Sequence, residues 1–484
     1  MLLTIFVIVS LVIFAFSTVY AISTFGLIAI SVYEALHQRI ERGPGYSPPH
    51  RLNRPGISLI VPAYNEEKII VGSIRSMLAL DYEPLEIVIV DDGSTDGMLQ
   101  TIDEAFRLTD FPVGDRIAVE SKPVEAKYVS TIDPRLRVMR KQNGGRADAI
   151  NAGIGAATQH LVALTDADSL FDRDALKRAS EPFIAYPDQV VGSGGSIWVA
   201  NGSTIEDGRV VEAGIPRGPT AATQVGEYLR AFFGTRIAWA SMNGLPILSG
   251  AFGVYRRDLL LSLGGLSTDT LGEDMELTLR VHHLLRPTQP DTRIAFAPDA
   301  VCWTEVPSGL RALRGQRVRW HVGLLDNIRL HRAMLGRRRY GAVGWGSLPH
   351  NVLFEAIAPL VEVTGIIIMI VLLAFGSVNW PYAIAFFLVM ALAGQLQTAG
   401  GILIQDVGFP RYKIRDIVRV GIWGVLEIFW YQPLTAVWRV WATFLVLIGR
   451  RPGWGTIPRG AALHEEPREP PTEAVAGAAA PLPR

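Results

Sequence analysis

The chain is almost without cysteine. Its 484 residues hold one, Cys302, so no disulfide can close within it, and a cross-linked secreted scaffold is excluded. That usage suits a reducing compartment. Net charge is missing too, since 46 Lys and Arg stand against 46 Asp and Glu. No basic block in the central region offers a face for nucleic acid, and no nucleic-acid partner is expected. Charge is wholly absent from Met1–Tyr33. The Gly-Lys-Ser/Thr of a Walker A loop is also lacking, which removes the P-loop nucleotide site.

The uncharged start is long enough to cross a hydrocarbon core of ~30 Å, which needs about 20 apolar residues. It is too long for a signal peptide and has no basic region before it. Residues 1–36 are read as a transmembrane anchor, and 37–55 as a linker containing Gly43-Pro44-Gly45-Tyr46-Ser47-Pro48-Pro49. Arg39, Arg42, Arg51 and Arg54 follow the apolar run. The positive-inside rule then puts the N-terminus outside and the central region in the cytoplasm.

Residues 56–320 read as an α/β domain with a mostly parallel sheet, because strand-like runs alternate with helical segments. Ile57–Val61 and Leu85–Val90 are such runs, and Asn65 is placed to cap a helix starting at Glu66-Glu67. Ligands bind such sheets beyond the carboxyl ends of the strands. Three strand ends carry polar clusters there: Pro62-Ala63-Tyr64-Asn65-Glu66, Asp91-Asp92-Gly93-Ser94-Thr95-Asp96-Gly97 and Thr165-Asp166-Ala167-Asp168. Asp166 and Asp168 offer two hard oxygen ligands, which suit Mg²⁺ or Mn²⁺. The competing reading makes them caps of a helix starting near Asp172. Asn143-Gly144-Gly145-Arg146 lets a backbone come close at a helix start, with a cation beside it, as a phosphate site requires.

Taken together, Pro62–Glu66, Asp91–Ser94, Gly144-Gly145-Arg146-Ala147, Asp166-Ala167-Asp168, Gly272-Glu273-Asp274 and Gln316-Arg317-Val318-Arg319-Trp320 resemble the motifs of family 2 glycosyltransferases, in the family's order. The flanking apolar segments match its membrane-bound branch, which includes the cellulose, chitin, hyaluronan and poly-N-acetylglucosamine synthases. The resemblance implies a GT-A-like catalytic domain flanked by transmembrane and interfacial helices. It also implies inverting, metal-dependent transfer from a nucleoside-diphosphate sugar, expected to be UDP-linked, to a growing β-linked polysaccharide, with export as a further expectation. A non-processive enzyme with a lipid acceptor is the alternative, because the Gln-x-x-Arg-Trp motif is shared with ceramide glucosyltransferases. Carried over residue by residue, the resemblance makes Asp274, with Glu273 beside it, the catalytic pair. Pro62, Tyr64, Glu66, Asp91, Asp92, Arg146 and Asp166 meet the nucleotide sugar. Ser249, Gly250, Gln316, Arg319 and Trp320 meet the acceptor, and Asp168 with Asp166 holds the metal. Without the resemblance, Asp274 reads first as a helix cap and Trp320 as a core or interface anchor. The sequence departs from the family in two places: Arg146 stands where lysine is frequent, and Gly272 where cellulose synthases have threonine.

Residues 321–350 mix leucine with His321, Arg329, Arg332 and Arg337-Arg338-Arg339, the pattern of an interfacial amphipathic helix at lipid headgroups. A C-terminal membrane region, 351–449, follows. Val352–Phe375 and Pro381–Ile404 are read as spans, and Glu355, Glu362, Gln395 and Gln397 as polar groups near a glycan path. Ile417–Ile448 is interrupted by Glu427, Pro433 and Arg439. It is read as a broken or re-entrant hairpin, which keeps Arg450 and Arg451 on the cytoplasmic side. The tail, 450–484, is rich in Pro, Ala and Glu from Glu465 and is expected to be disordered. The whole is placed in the cell membrane.

Overall fold

The computed structural model describes residues 2–41, 54–111, 119–376, 378–408 and 411–451. The linker reading at Gly43–Pro49 and the tail from Glu465 lie outside them.

The strands are β1 Ile57–Ala63, β2 Leu85–Asp91, β3 Leu108–Asp110, β4 Val124–Ser130, β5 Leu136–Lys141, β6 Leu161–Leu164, β7 Leu170–Phe171, β8 Val190–Val199, β9 Thr204–Glu206, β10 Arg209–Glu212, β11 Gly253–Arg256 and β12 Arg293–Thr304. The helices are α1 Leu2–Glu41, α2 Ile70–Leu78, α3 Met98–Phe106, α4 Arg146–Ala156, α5 Ala175–Ala185, α6 Pro219–Leu229, α7 Ile237–Ser241, α8 Arg257–Ser262, α9 Glu273–Leu285, α10 Leu310–Leu330, α11 Leu348–Asn351, α12 Ala358–Ala374, α13 Trp380–Gly408 and α14 Ile414–Leu447.

Ten strands form one sheet in the order β3-β4-β5-β2-β1-β6-β11-β8-β12-β7. The run β5-β2-β1-β6 is parallel, and so is β8-β12. Following the pairings outward from β1, only β4, β7 and β11 run the other way. The sheet is therefore mostly parallel, as expected. Its central strands are apolar on both faces because helices cover both. Leu59 and Val61 enter one core with α2, α3 and α5. Ile60, pointing the opposite way, enters the second with α4, α8 and α9.

Four sequence expectations need correction. Asn65 caps no helix: it sits at φ 57°, its side chain accepts the Thr95 N–H, and α2 begins only at Ile70. The helix after Asp168 starts at Ala175, not near Asp172. Residues 321–350 are not one amphipathic helix. Their first ten are the end of α10, which already began at Leu310, and short 3-10 turns follow at Arg332–Met334 and Arg338–Tyr340. Within α10, His321 is buried rather than facing headgroups. Finally, Ile417–Ile448 forms no hairpin: α14 runs unbroken for 34 residues with Pro433 inside it.

Among the described residues, two helical stretches are long and apolar enough to cross a membrane, Val9–Gln38 and Val343–Ala374. These apolar helices point to a membrane protein. α14 behaves differently, because both its ends rest on the α/β domain. Arg411 and Lys413, just before it, pair with Asp172 and Glu212. Arg451, just after it, donates to the Asp269 carbonyl and pairs with Asp326. A helix of 34 residues is roughly 50 Å long. Pinned at both ends, it lies across the domain and leaves Arg451 on the domain's side.

Candidate active site

The parallel register aligns the carboxyl ends of three strands. Ala63 is level with Asp91, and Ile60 with Leu164. The polar clusters that follow each strand therefore share one rim. The first two are tied by the backbone: Asn65 N–H donates to Ser94 Oγ at 3.0 Å, and Asp92 N–H to the Ala63 carbonyl at 2.9 Å. On this rim Tyr64 is exposed, while Pro62 and Glu66 are half-buried.

Asp91 and Asp92 are buried. Asp91 Oδ1 accepts the Ser94 N–H at 2.8 Å. The Asp92 carboxylate accepts the N–H groups of Gly144 and Gly145, at 3.0 and 2.8 Å, and the Lys141 ammonium at 2.6 Å. It shapes the loop that opens α4. Gly145 takes φ 88°, where a side chain would be strained. Lys141 also pairs with Asp148, so a wholly buried ammonium is held by two carboxylates.

Arg146, the first residue of α4, is the hub. Its Nε donates to Asp166 Oδ1 at 2.7 Å, one terminal nitrogen to Glu273 Oε1 at 2.7 Å, and the other to the Gly250 carbonyl at 2.9 Å. A lysine would donate from a single nitrogen; the guanidinium reaches the three acceptors from three separate nitrogens held in one plane. Burial pulls the Arg146 guanidinium down, but Asp166 and Glu273 outweigh it and hold it above its ordinary value. Burial pushes the Glu273 carboxyl up, against the pull of Arg146.

Asp274 is the second residue of α9; Gly272, not Asp274, caps the helix. Its Oδ2 accepts the Gly250 N–H at 3.0 Å. Gly250 thus gives its N–H to Asp274 and its carbonyl to Arg146, with Ser249 half-buried beside it. Sequence reasoning did not single out Arg236, in the π-helical segment Arg230–Arg236. Burial lowers its guanidinium to about 10, and the Asp274 charge opposes that.

The remaining motif lies on α10. Gln316 and Trp320, four residues apart, share one face, and Trp320 is 47% exposed. Burial lowers the Arg319 guanidinium, offset by Glu273, which ties this helix electrostatically to α9. α9 and α10 touch where Gly272 meets Gly323. A Cβ built on Gly323 would come within 2.8 Å of the Gly272 nitrogen. Asn327 Nδ2 donates to the Gly272 carbonyl at 2.8 Å. This contact accounts for glycine at 272: its φ of −128° is open to any residue, but a Cβ there would come within 2.9 Å of Asn327 Nδ2 and 3.3 Å of the Gly323 Cα.

Arg317 was quoted only as part of its motif. It is buried, forks onto both Glu227 oxygens at 2.6 and 2.8 Å, and donates to the Tyr431 hydroxyl at 3.0 Å. It also stacks 4.5 Å from the centre of the Trp320 ring. No local sequence signal could have paired residues 227, 317 and 431.

Asp166 and Asp168 stand together at the end of β6, and the Asp166 side chain is 36% exposed. Among the described residues no third His, Cys, Asp or Glu completes a cluster with them. Such a pair fits a hard divalent ion that keeps most positions for waters and phosphate oxygens.

Residues 58–264 match the model for glycosyl transferase family 2. They form a family 2 glycosyltransferase domain. The match ends before α9 and α10, so Glu273, Asp274 and Trp320 lie beyond it. The poly-beta-1,6-N-acetyl-D-glucosamine synthase of Staphylococcus epidermidis is 25% identical over 389 residues, covering 78% of this chain and 80% of the relative. That of Staphylococcus aureus strain COL is 28% identical over 268 residues, covering 55% of this chain and 54%, about half, of the relative. Among solved structures, a mannosyltransferase from Pyrobaculum calidifontis in complex with GDP-Man and Mn²⁺ aligns with TM-score 0.49 and 18% identity, over 91% of this chain and all of that one.

Proposed function

We propose that the transferase domain moves a sugar, with inversion, from a UDP-linked donor to the end of a growing β-linked polysaccharide. The observation that carries this is the unbroken run of contacts from Asp166 through Arg146 to Glu273 and, at Gly250, to Asp274. It links the strand-end rim to the start of α9, which packs on the helix that bears Trp320. Two jobs thereby share one frame. On the rim, Tyr64, Asp91, Asp92 and Arg146 form or shape the donor pocket. At the start of α9, Asp274 takes the proton of the attacking hydroxyl. Asp166 and Asp168 would hold Mg²⁺ or Mn²⁺, whose charge offsets that of the leaving diphosphate. Trp320, with its ring braced by Arg317, offers an apolar face to the acceptor sugar, and orientation of this kind supplies much of the rate.

The relatives named above are poly-N-acetylglucosamine synthases. An N-acetylglucosamine donor is therefore part of the reading; the arginines that follow the first apolar run support a cytoplasmic domain at the cell membrane, and export of the product through the membrane helices extends it. The test incubates the purified chain with radiolabelled UDP-sugars and sizes the product. A long polymer is expected from UDP-N-acetylglucosamine, lost on chelation and restored by Mg²⁺ or Mn²⁺. Asp274→Asn should cut transfer by ~10²–10⁴-fold while nucleotide affinity holds. Single-sugar lipid products would favour the lipid acceptor; full activity in excess chelator would remove the metal.

A further inference from the structure

The β9–β10 hairpin and the start of α14 enclose a cavity of about 380 Å³, within the roughly 300–1,000 Å³ range of small-ligand sites. It lies apart from the transfer site. Arg217, Arg415 and Arg419 line it, with Glu212 and Asp416. Three guanidiniums face two carboxylates, and Lys413 already pairs with Glu212 from outside the lining, so the cavity carries an excess of positive charge that a phosphate would offset.

Asp416 gives the second clue. It is 3% exposed. Its Oδ2 accepts no hydrogen bond from any described residue; the Arg415 guanidinium stands at 3.8 Å and that of Arg419 at 3.7 Å from the other oxygen. A buried carboxylate oxygen left in that state is costly. A ligand bringing a phosphate for the guanidiniums and a hydrogen-bond donor for the Asp416 side of the lining would meet both kinds of charge.

The surroundings point to the source. Ile414, Val418 and Ile422, four residues apart on the helix that carries Arg415 and Arg419, are 82%, 58% and 53% exposed. They form an apolar ridge at the mouth of a basic cavity, the pairing that meets acyl chains and headgroups together. With both ends of α14 on the transferase domain, ridge and cavity face one leaflet, on the domain's side.

We propose that this cavity binds one membrane phospholipid. Its phosphate sits among Arg217, Arg415 and Arg419, and the ammonium or hydroxyl of its headgroup reaches Asp416. The site seats α14 at the bilayer surface and does not depend on the sugar reaction, whose residues lie elsewhere. It does depend on membrane residence, which alkaline carbonate extraction checks on its own.

The full chain, purified and delipidated in detergent, would be titrated with phosphatidylglycerol, phosphatidylethanolamine, phosphatidylcholine or inorganic phosphate. Native mass spectra count the lipid, and thermal unfolding reads its effect. One phosphatidylglycerol or phosphatidylethanolamine should stay bound, with clear stabilisation. Arg217→Gln with Arg415→Gln should weaken retention by roughly 10–30-fold. Lys127→Gln, on β4 near the opposite edge of the sheet, should bind as the parent does. Asp416→Asn should lose the preference over phosphatidylcholine, whose headgroup has no hydrogen-bond donor. Unchanged retention in the double arginine variant overturns the site. Equal stabilisation by inorganic phosphate with no lipid retained makes it a soluble-anion site and overturns the lipid assignment. Failure of the parent chain to retain any lipid overturns it outright.

Discussion

The strand-end rim and the flank where α6, α10 and α14 meet are held by different kinds of bond. On the rim, side chains bind backbone: Asp92 holds two glycine N–H groups, Asn65 that of Thr95, and Asp91 that of Ser94. On the flank, charged side chains bind each other across long stretches of sequence: Arg317 with Glu227, Arg230 with Glu427, and Arg439 with Glu355. A rim built on backbone groups has one shape. A flank built on such pairs gains little net stability from each, yet loses much where the group left behind is buried, as Glu427 and Arg317 are. The rim should therefore govern the donor, and the flank the register of the helices that meet the acceptor.

Arg146 combines both kinds of bond, to the Gly250 carbonyl and to the Asp166 and Glu273 carboxylates, so its loss should be largest. Arg146→Gln leaves Glu273 buried without its cation, a change worth about 3–5 kcal/mol of stability. Misplacing the start of α9 should lower transfer by roughly 10²-fold or more. Thermal unfolding beside single-turnover transfer measures both; near-normal values in either would show that Arg146 is no hub. Arg317→Gln should do less and do it selectively. Glu227 is 30% exposed, so the stability loss should stay under about 3 kcal/mol. Nucleotide affinity should hold while polymer shortens, because Trp320 loses the guanidinium on its ring. If nucleotide affinity fell in step with chain length, the division between rim and flank would fail.

How much of each region could be read from the sequence follows from the same contrast. The rim was legible because its residues are local: a buried run ending in Asp-Asp-Gly-Ser or Asp-Ala-Asp marks a strand end whatever lies elsewhere. The i, i+4 spacing of Gln316 and Trp320 was legible for the same reason. Asn65 misled because a residue suited to capping is equally suited to a left-handed turn, and a contact 30 residues away decided between them. The flank was illegible because Arg230, Glu427 and Tyr431 have no local pattern. Interruptions at Glu427, Pro433 and Arg439 looked like breaks in a span. In the folded chain Glu427 and Arg439 are the points where an unbroken helix is fastened.

The seam between the two regions allows a smaller perturbation. Gly323→Ala places a methyl against the Gly272 nitrogen, where only a backbone shift can relieve it. Overpacking of this kind costs about 1–3 kcal/mol. α9 should move relative to α10, so the acceptor KM should rise while nucleotide affinity stays. Normal kinetics in Gly323→Ala would mean that the seam is loose and the two helices are positioned separately.

The smallest effect concerns two buried histidines, one on each side of that seam. His282, on α9, makes a 3.1 Å contact with the Leu245 carbonyl. His321, on α10, makes a 2.9 Å contact with Thr443. Burial brings each imidazole down from 6.5 to about 3, with Arg286 helping at His282 and Arg439 at His321. Between those values the unfolded chain binds a proton at each position and the folded chain does not. Stability therefore falls as pH drops below about 6.5 and would level off only near 3. Each histidine should contribute about 1 kcal/mol of loss over the first unit of pH. His282→Gln keeps a donor for the Leu245 carbonyl and cannot take the proton, so it should flatten the dependence by its share. His321→Gln should flatten it by a similar share, and its effect should also appear in polymer length, because Thr443 is on α14. If both variants change unfolding alone and neither changes polymer length, the flank does not control the acceptor.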